Sequence, residues 1–203
     1  MVELGLFPLG IVLLPTEQLP LHIFEDRYKE LIGECIDADT EFGLVYADDD
    51  GIRELGTRAG VVSVLDRFED GRLNVVVEGR ERFRLLALTE GRSFQTGDVA
   101  DVVDDDDPAD ADTVARALAL FERLRAATRS EVDVPSAETD QLSFVLAGRV
   151  ELAPEVKLEL LAELSERTRL SRVCELLQLA SEAVERQRRA AERAATNGRV
   201  DLG

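Results

Sequence analysis

The hydrophobic pattern of the chain changes period once, at an acidic run over residues 98–112. Before this run, short segments alternate apolar and polar residues, which is typical of β-strands with one buried face. After it, apolar residues recur with the spacing of amphipathic helices. The sequence therefore predicts an α+β chain with a β-rich lobe at residues 1–103, an acidic linker at 104–112 and an α-helical lobe at 113–203.

A β-hairpin is the clearest local prediction in the first lobe. Asp70-Gly71 separates two runs rich in aliphatic residues, Gly60–Phe68 and Arg72–Gly79, and this dipeptide is a strong hairpin signal. Further extended segments are predicted within residues 5–15, 19–24, 41–47, 82–88 and 93–103.

Helices are predicted where apolar residues recur at i, i+3, i+4 and i+7. In the first lobe this stripe runs from Tyr28 to Ile36, and the helix is expected to end near residues 37–39. In the second lobe the first helix carries Val114–Leu124, with Asp112 as its predicted N-cap. Two shorter helices at 138–148 and 154–164 and a long one from Leu170 past Arg189 complete the predicted lobe.

Charge and hydropathy limit the possible partners and locations. The net charge of −18 repels polyanions, so we expect no nucleic-acid partner and no anionic membrane partner. The apolar run from Leu4 to Pro15 is interrupted by glycine and proline and is shorter than the roughly 20 residues of a membrane span. It also lacks the basic flank of a signal peptide, and the expected location is the cytoplasm.

Common catalytic and metal-binding motifs are missing from the sequence. Neither of the two lysines, Lys29 and Lys157, follows a glycine, which excludes a P-loop. His22 is the only histidine, and no G-x-S-x-G motif accompanies it. Cys35 and Cys174 lack the spacing of a zinc or redox site. We therefore expect no cofactor, no bound metal and neither ATPase nor peptidase activity.

Residues 6–36, LFPLGIVLLPTEQLPLHIFEDRYKELIGECI, resemble the opening of the Lon protease N-terminal domain family. That family has LFPL, then an apolar strand and a proline, and then LPLxIFExRY before the first helix. FGLV at residues 42–45 is similar to its next strand. The chain departs from many members at Pro15-Thr16, where they have proline and glycine.

Two later segments extend the resemblance to about residues 3–185. Residues 56–85 are similar to the hairpin of the family, including its DGR turn and a G-x-x-RF element. Residues 160–177 resemble its helical segment. The positions of the G-x-x-RF element are Gly79, Arg82 and Phe83.

The resemblance implies a PUA-like β pseudo-barrel followed by an α-helical bundle. In complete Lon proteases this region engages substrates and helps assembly. The chain ends where the ATPase would begin, so the resemblance implies binding without the catalytic activities. A eukaryotic relative with a Lon-like domain serves as a ubiquitin-ligase adaptor, so the fold alone does not determine the role.

The first functional hypothesis is a non-catalytic module that recognises exposed hydrophobic segments of proteins, as an adaptor or quality-control factor. Its partners would be unfolded or partly exposed protein segments, or a protease. One alternative is an enzyme with a carboxylate-based site, which clustered carboxylates of perturbed pKa in a deep pocket would favour. The other is RNA binding, by analogy with PUA-like folds, which requires a basic surface with exposed aromatic residues.

Three residues are candidates for peptide binding. Phe68 precedes the Asp70-Gly71 turn, where an aromatic ring is hard to bury within its own hairpin. Leu14 and Leu19 flank the loop around Pro15. Exposed together, the three would form an apolar patch of the kind that marks an interaction site. In the alternative interpretation, Phe68 folds back on a neighbouring loop and both leucines belong to the core.

Overall fold

A mixed β-sheet forms most of the N-terminal half of the chain, and helices form most of the rest. The computed structural model describes residues 2–197. The strands are β1 (Val2–Leu9), β2 (Gln18–Ile23), β3 (Phe42–Asp48), β4 (Gly51–Arg67), β5 (Leu73–Thr89) and β6 (Thr96–Val102). The helices are α1 (Asp26–Ala38), α2 (Ala111–Thr128), α3 (Leu142–Ala147), α4 (Pro154–Ala162) and α5 (Glu166–Asn197).

The sheet closes on itself through the pairing of β5 with β6. Its order is β2-β5-β4-β3-β1-β6, and β6 pairs with β5 as well as with β1. The β1–β3 pair is parallel, whereas the other pairs are antiparallel. Closure gives both edges of the β5 segment near Phe83 a partner, which removes open edges from that part of the sheet. The predicted α+β class with a β pseudo-barrel is confirmed.

Helix α1 packs against the sheet, close to β3 and β4. Its predicted stripe is buried at Tyr28, Leu31, Ile32 and Cys35, against a core that includes Val75 of β5. The Phe7 ring of β1 lies 4.0 Å from the Tyr28 ring, centroid to centroid. The burial of each large aliphatic side chain contributes about 1.5–3 kcal/mol to the free energy of unfolding. A second apolar cluster contains Leu4, Leu6, Val45, Phe83 and Val99.

The chain divides into two compact units, and each unit is built from two stretches of sequence. Among the described residues, the first contains 2–106 and 147–164, and the second contains 107–146 and 165–197. The predicted lobe at 113–203 differs from this division because helix α4 belongs with the sheet. The last residues of that predicted lobe, 198–203, lie outside the described residues.

Two basic side chains connect α4 to the sheet unit. Arg82 of β5 donates through Nη1 to the backbone oxygens of Leu161, at 2.7 Å, and Glu163, at 2.9 Å. Lys157 of α4 donates to a carboxylate oxygen of Glu17, and both side chains are largely buried. A buried charge requires a partner, so these contacts determine where α4 packs.

The second unit is built around a fully buried arginine. Arg169 of α5 donates to the hydroxyl of Ser143 at 2.7 Å and to the carboxylate of Glu166 at 2.7 Å. Its guanidinium also lies 3.9 Å from the centroid of the Phe144 ring. Helix α3, which carries Ser143 and Phe144, is shorter than the predicted helix at 138–148.

The acidic run is tied into the fold at several points. Its first residues belong to β6, and Asp104 pairs with the buried Arg82. Asp107 accepts a hydrogen bond from the Ser165 hydroxyl at 2.7 Å and one from Arg167 at 2.9 Å. The predicted N-cap Asp112 is wrong, because Asp110 accepts the capping bond from the backbone N–H of Thr113.

Candidate functional site

The three residues of the predicted peptide-binding patch differ in their exposure to solvent. Leu14 is fully buried, at 0% exposure, so it cannot contact a client, and the expectation that it lies on the surface is corrected. Leu19 is half-buried and packs against the main core. Phe68 is exposed at 39%. Only Phe68 therefore offers its side chain freely to solvent.

Leu14 is buried because the loop before β2 turns tightly onto the sheet. The backbone N–H of Leu14 donates to Glu17 Oε2 at 2.9 Å, and the N–H of Thr16 donates to the Gly79 carbonyl at 2.7 Å. Thr16 has a φ of 67°, a left-handed conformation that is strained for a β-branched residue. Many members of the family that the sequence resembles have glycine there, which adopts this φ without strain.

Phe68 belongs to a group of three surface rings, here called the ring cluster: His22, Phe24 and Phe68. The His22 ring stacks on Phe24 with 5.9 Å between centroids, and it meets Phe68 edge-on at 6.2 Å. Phe24 is 60% exposed. The cluster arises because β2 pairs with the start of β5, which places His22 beside Asn74, near the hairpin that carries Phe68.

Polar contacts support the ring cluster from below and from the side. His22 Nδ1 lies 2.7 Å from Asn74 Oδ1, and Asn74 in turn donates to Asp66 Oδ2 at 2.8 Å. The Arg72 guanidinium lies 5.0 Å from the Phe68 ring centroid, a cation–π distance. The pKa of the Asp70 carboxyl lies below its usual range, mainly because the carboxylate accepts a hydrogen bond from the backbone N–H of Arg72. These contacts restrict the ring positions before any partner binds.

The surroundings of His22 suit binding better than acid–base catalysis. Its ring faces the amide of Asn74 and two phenyl rings, whereas a catalytic triad requires a hydroxyl nucleophile and a carboxylate. Within residues 2–197, no group of three or more His, Cys, Asp or Glu side chains could hold a metal ion. The chemistry available at the cluster is contact with apolar and aromatic groups, with a cation beside it.

Sequence reasoning did not place His22 and Phe24 with Phe68 in the ring cluster. The signal was present, because alternate residues of an extended segment share a face, and Phe24 lies two residues after His22, directly after the end of β2. The buried neighbours Leu21 and Ile23 occupy the opposite face. The pairing of β2 with β5, which brings Phe68 to the same place, joins segments that are far apart in sequence.

One further structural property concerns membranes. Over the part of the chain that the structure describes, no helix combines the length and the apolar character needed to cross a bilayer.

Two Lon proteases are similar to this chain in sequence. Lon protease 1 of Hydrogenovibrio crunogenus (strain DSM 25203 / XCL-2) is 24% identical over 196 residues, covering 88% of this chain and 24% of that protein. The Lon protease of Paraburkholderia phytofirmans (strain DSM 17436 / LMG 22146 / PsJN) is 27% identical over 213 residues, covering 94% and 25%. The chain thus spans about a quarter of the length of these relatives.

Two solved structures share the fold. The crystal structure of a Lon N-terminal domain protein from Xanthomonas campestris matches with a TM-score of 0.67 and 26% identity, over 85% of this chain and 97% of that one. The N-terminal domain of Mycobacterium avium complex Lon protease also has a TM-score of 0.67, at 19% identity, over 87% and 98%. The second likeness supports the fold alone.

The family model of the ATP-dependent protease La (LON) substrate-binding domain matches residues 3–179. The match covers the sheet except for the first residue of β1, helices α1 to α4, and the first 14 of the 32 residues of α5. It confirms the resemblance stated from the sequence, and it indicates a substrate-binding role. The chain belongs to the LON substrate-binding domain family.

Proposed function

We propose that the chain binds exposed hydrophobic segments of other proteins, with the ring cluster as its contact surface. The observation that carries this proposal is the exposure of the clustered rings, above all Phe24 at 60%. Aromatic side chains supply a large contact area at a low cost in conformational entropy. Clustered apolar groups on a protein surface mark interaction sites, and membership of a substrate-binding family supports the same assignment.

The role that fits this surface is that of an adaptor or quality-control factor acting in the cytoplasm without catalysis. Unfolded proteins expose apolar segments that folded proteins bury, so a ring cluster distinguishes the two. A protease is one partner to which such a factor would deliver clients. The net charge of −18 favours basic clients over acidic ones and disfavours nucleic acid.

The test replaces Phe24 and Phe68 together by alanine. The client is reduced and carboxamidomethylated lysozyme, a basic unfolded protein, and binding is measured by fluorescence anisotropy. We expect the dissociation constant to rise about tenfold, since two hot-spot rings are removed. The melting temperature should change little, because Phe24 is 60% and Phe68 39% exposed and neither belongs to the buried core. Native lysozyme should bind neither form.

The matched control is the Leu86→Ala/Leu88→Ala variant. These two residues of β5 are 50% and 52% exposed, so the change removes similar apolar surface from another part of the same unit. Client binding by this variant should equal that of the unmodified chain. Equal loss in both variants would mean that binding is non-specific. A large drop in melting temperature with unchanged binding would mean that the rings belong to the core. Replacing a buried phenylalanine by alanine lowers the free energy of unfolding by about 3–5 kcal/mol.

A further inference from the structure

The hydrogen bonds beside the ring cluster determine which nitrogen of His22 carries the hydrogen. Asn74 Nδ2 donates to Asp66 Oδ2 at 2.8 Å, because a carboxylate only accepts. This bond orients the Asn74 amide, so that its Oδ1 is the atom 2.7 Å from His22 Nδ1. A carbonyl oxygen cannot donate, and Nδ1 therefore carries the hydrogen. In a neutral imidazole the other nitrogen, Nε2, then has a free lone pair.

The Nε2 atom of His22 is an acceptor on the surface of the molecule. The His22 side chain is exposed, and within residues 2–197 no donor is paired with its Nε2. Its neighbours Phe24 and Phe68 have no hydrogen-bonding side-chain atoms. The hydrogen bonds from Asp66 through Asn74 to His22 begin at a carboxylate, and the members of such a chain polarise one another. The ring cluster therefore combines apolar surface with one strengthened acceptor.

The arrangement of the rings suits a flat donor. The His22 and Phe24 ring planes lie within 23° of each other. The lone pair of Nε2 lies in the plane of the imidazole, so a flat ring that donates within this plane is also nearly parallel to Phe24. Offset parallel packing is a favoured arrangement of two aromatic rings. An aromatic group with an N–H on its edge therefore satisfies His22 and Phe24 together.

Arg72 opposes a cation as the ligand of the ring cluster. Its guanidinium lies 5.0 Å from the Phe68 ring centroid, and its Nε donates to the carboxylate of Asp70 at 2.7 Å. A cation thus already lies over one face of Phe68, and a lysine or arginine of a client would meet like charge there. The tryptophan side chain is neutral and flat, and its indole N–H is a donor only. It also buries a large apolar area.

We propose that the ring cluster selects tryptophan side chains in the exposed segments of its clients. The indole packs against Phe24, and its N–H donates to His22 Nε2. Asn74 is a positioning residue, which Asp66 orients, and it keeps the hydrogen of His22 on Nδ1. This inference rests on the proposed function, and it names the side chain that the ring cluster recognises.

The position of the hydrogen is measured first, by NMR of the ¹⁵N-labelled chain. His22 is the only histidine, so the spectrum contains the signals of one imidazole. At about pH 8.5, where histidine side chains are ordinarily neutral, we expect the Nδ1–H form. The Asn74→Ala variant should gain the Nε2–H form, because Nδ1 loses its acceptor. A predominant Nε2–H form in the unmodified chain would overturn this inference and leave the proposed function standing.

The probe is the fluorescein-labelled peptide Ser-Lys-Leu-Trp-Leu-Lys-Ser, titrated with the full chain and followed by anisotropy. One further version is methylated on the indole nitrogen, and another has phenylalanine in place of tryptophan. The tryptophan peptide should bind about fivefold more tightly than either, the effect of one neutral hydrogen bond. The chain contains no tryptophan, so the emission of unlabelled peptide reports on the indole alone. This emission should shift to shorter wavelength on binding.

The location is tested with variants of β2 and β5. His22→Phe keeps an aromatic ring but removes the acceptor, so it should bind the tryptophan and the methylated peptides equally. Asn74→Ala should reduce the preference for tryptophan, since Nε2 then carries the hydrogen in part of the molecules. The matched control is Gln18→Ala, an exposed residue on the same face of β2, which should keep the fivefold preference. Thermal melts confirm that each variant is folded.

The outcomes distinguish this inference from the proposed function. Equal binding of the tryptophan and methylated peptides by the unmodified chain would overturn the inference. If the Phe24→Ala/Phe68→Ala variant then lost both peptides, the ring cluster would still be the contact surface for clients. A preference for tryptophan that persists in His22→Phe would also overturn the inference, as would failure of all three peptides to bind. The experiment with unfolded lysozyme decides the proposed function separately.

Discussion

At the residue scale, the G-x-x-RF element is explained by three different contacts of β5. A Cβ atom on Gly79 would lie 2.1 Å from the carbonyl oxygen of Leu14, which is closer than any real contact. Arg82 carries a buried charge that the carbonyls of α4 and the carboxylate of Asp104 satisfy. Phe83 is fully buried in the second apolar cluster. Through these three residues, β5 contacts the loop before β2, the C-terminal end of α4 and the second apolar cluster.

The residue-scale prediction is that Gly79→Ala strongly destabilises the chain. The backbone cannot retreat easily, because Thr16 donates to the Gly79 carbonyl at 2.7 Å and the Gly79 N–H donates to Glu17 at 2.9 Å. We expect the free energy of unfolding to fall by about 3 kcal/mol, the upper end for an overpacked site. Urea unfolding followed by circular dichroism measures the change.

Gly10→Ala is the control for this prediction. The nearest atom to a Cβ at Gly10 is the Ala47 carbonyl oxygen at 3.9 Å, an ordinary contact distance. If both substitutions had similar effects, close approach of the Leu14 backbone would not be the reason for glycine at position 79.

At the element scale, the start of α2 depends on one aspartate among several. Asp110 accepts from the backbone N–H of Thr113 at 2.8 Å and from its hydroxyl at 3.0 Å. These hydrogen bonds lower the pKa of the Asp110 carboxyl below its usual value. The predicted cap, Asp112, lies within the first turn of the helix. The acidic run contains many possible caps, so composition alone could not choose among them.

The element-scale prediction concerns this cap. Asp110→Ala should lower the melting temperature at pH 7 by about 2–4 °C, because the helix loses its N-cap. Since the folded pKa is below the unfolded one, the carboxylate stabilises the fold above the unfolded pKa of about 3.9. This contribution is lost as the pH falls through the folded pKa. The difference from the unmodified chain should therefore shrink in acid.

Thermal scans at neutral and acidic pH measure the effect, with Asp112→Ala as the matched control. Asp112 also carries a charge in the first turn but accepts no capping bond in the structure. An effect of Asp112→Ala as large as that of Asp110→Ala would contradict the assignment of the cap.

At the scale of the whole molecule, excess negative charge dominates the electrostatics. The chain has 42 acidic and 24 basic residues, giving a net charge of −18. Most of its ion pairs are at least partly exposed, and exposed pairs contribute little to stability. Repulsion among the unpaired carboxylates opposes the compact state.

The whole-molecule prediction is that salt stabilises the chain. Raising sodium chloride from about 10 mM to about 300 mM shortens the Debye length severalfold and screens this repulsion. The melting temperature should rise by a few degrees, as measured by differential scanning calorimetry. Potassium chloride should have the same effect, because screening depends on ionic strength. A melting temperature that falls with salt would mean that the ion pairs outweigh the net repulsion.

Local patterns in the sequence determined the elements and the class of fold. The stripe from Tyr28 to Ile36 predicted α1, and Asp70-Gly71 predicted the turn between β4 and β5. These signals succeed because helix and strand periods and turn preferences depend on residues that are neighbours in the chain. The motifs at residues 6–36 and 56–85 identified the family.

Only the tertiary structure decided which elements pack together and which residues reach the surface. Helix α4 joins the sheet unit through Arg82 and Leu161, which are 79 residues apart. The Thr57 hydroxyl donates to the Leu13 carbonyl at 2.6 Å and helps to hold the loop that buries Leu14. Periodicity identifies a buried face but not the partner that covers it, because the partner depends on contacts between distant segments. For the same reason, the ring cluster emerged only from the pairing of β2 with β5.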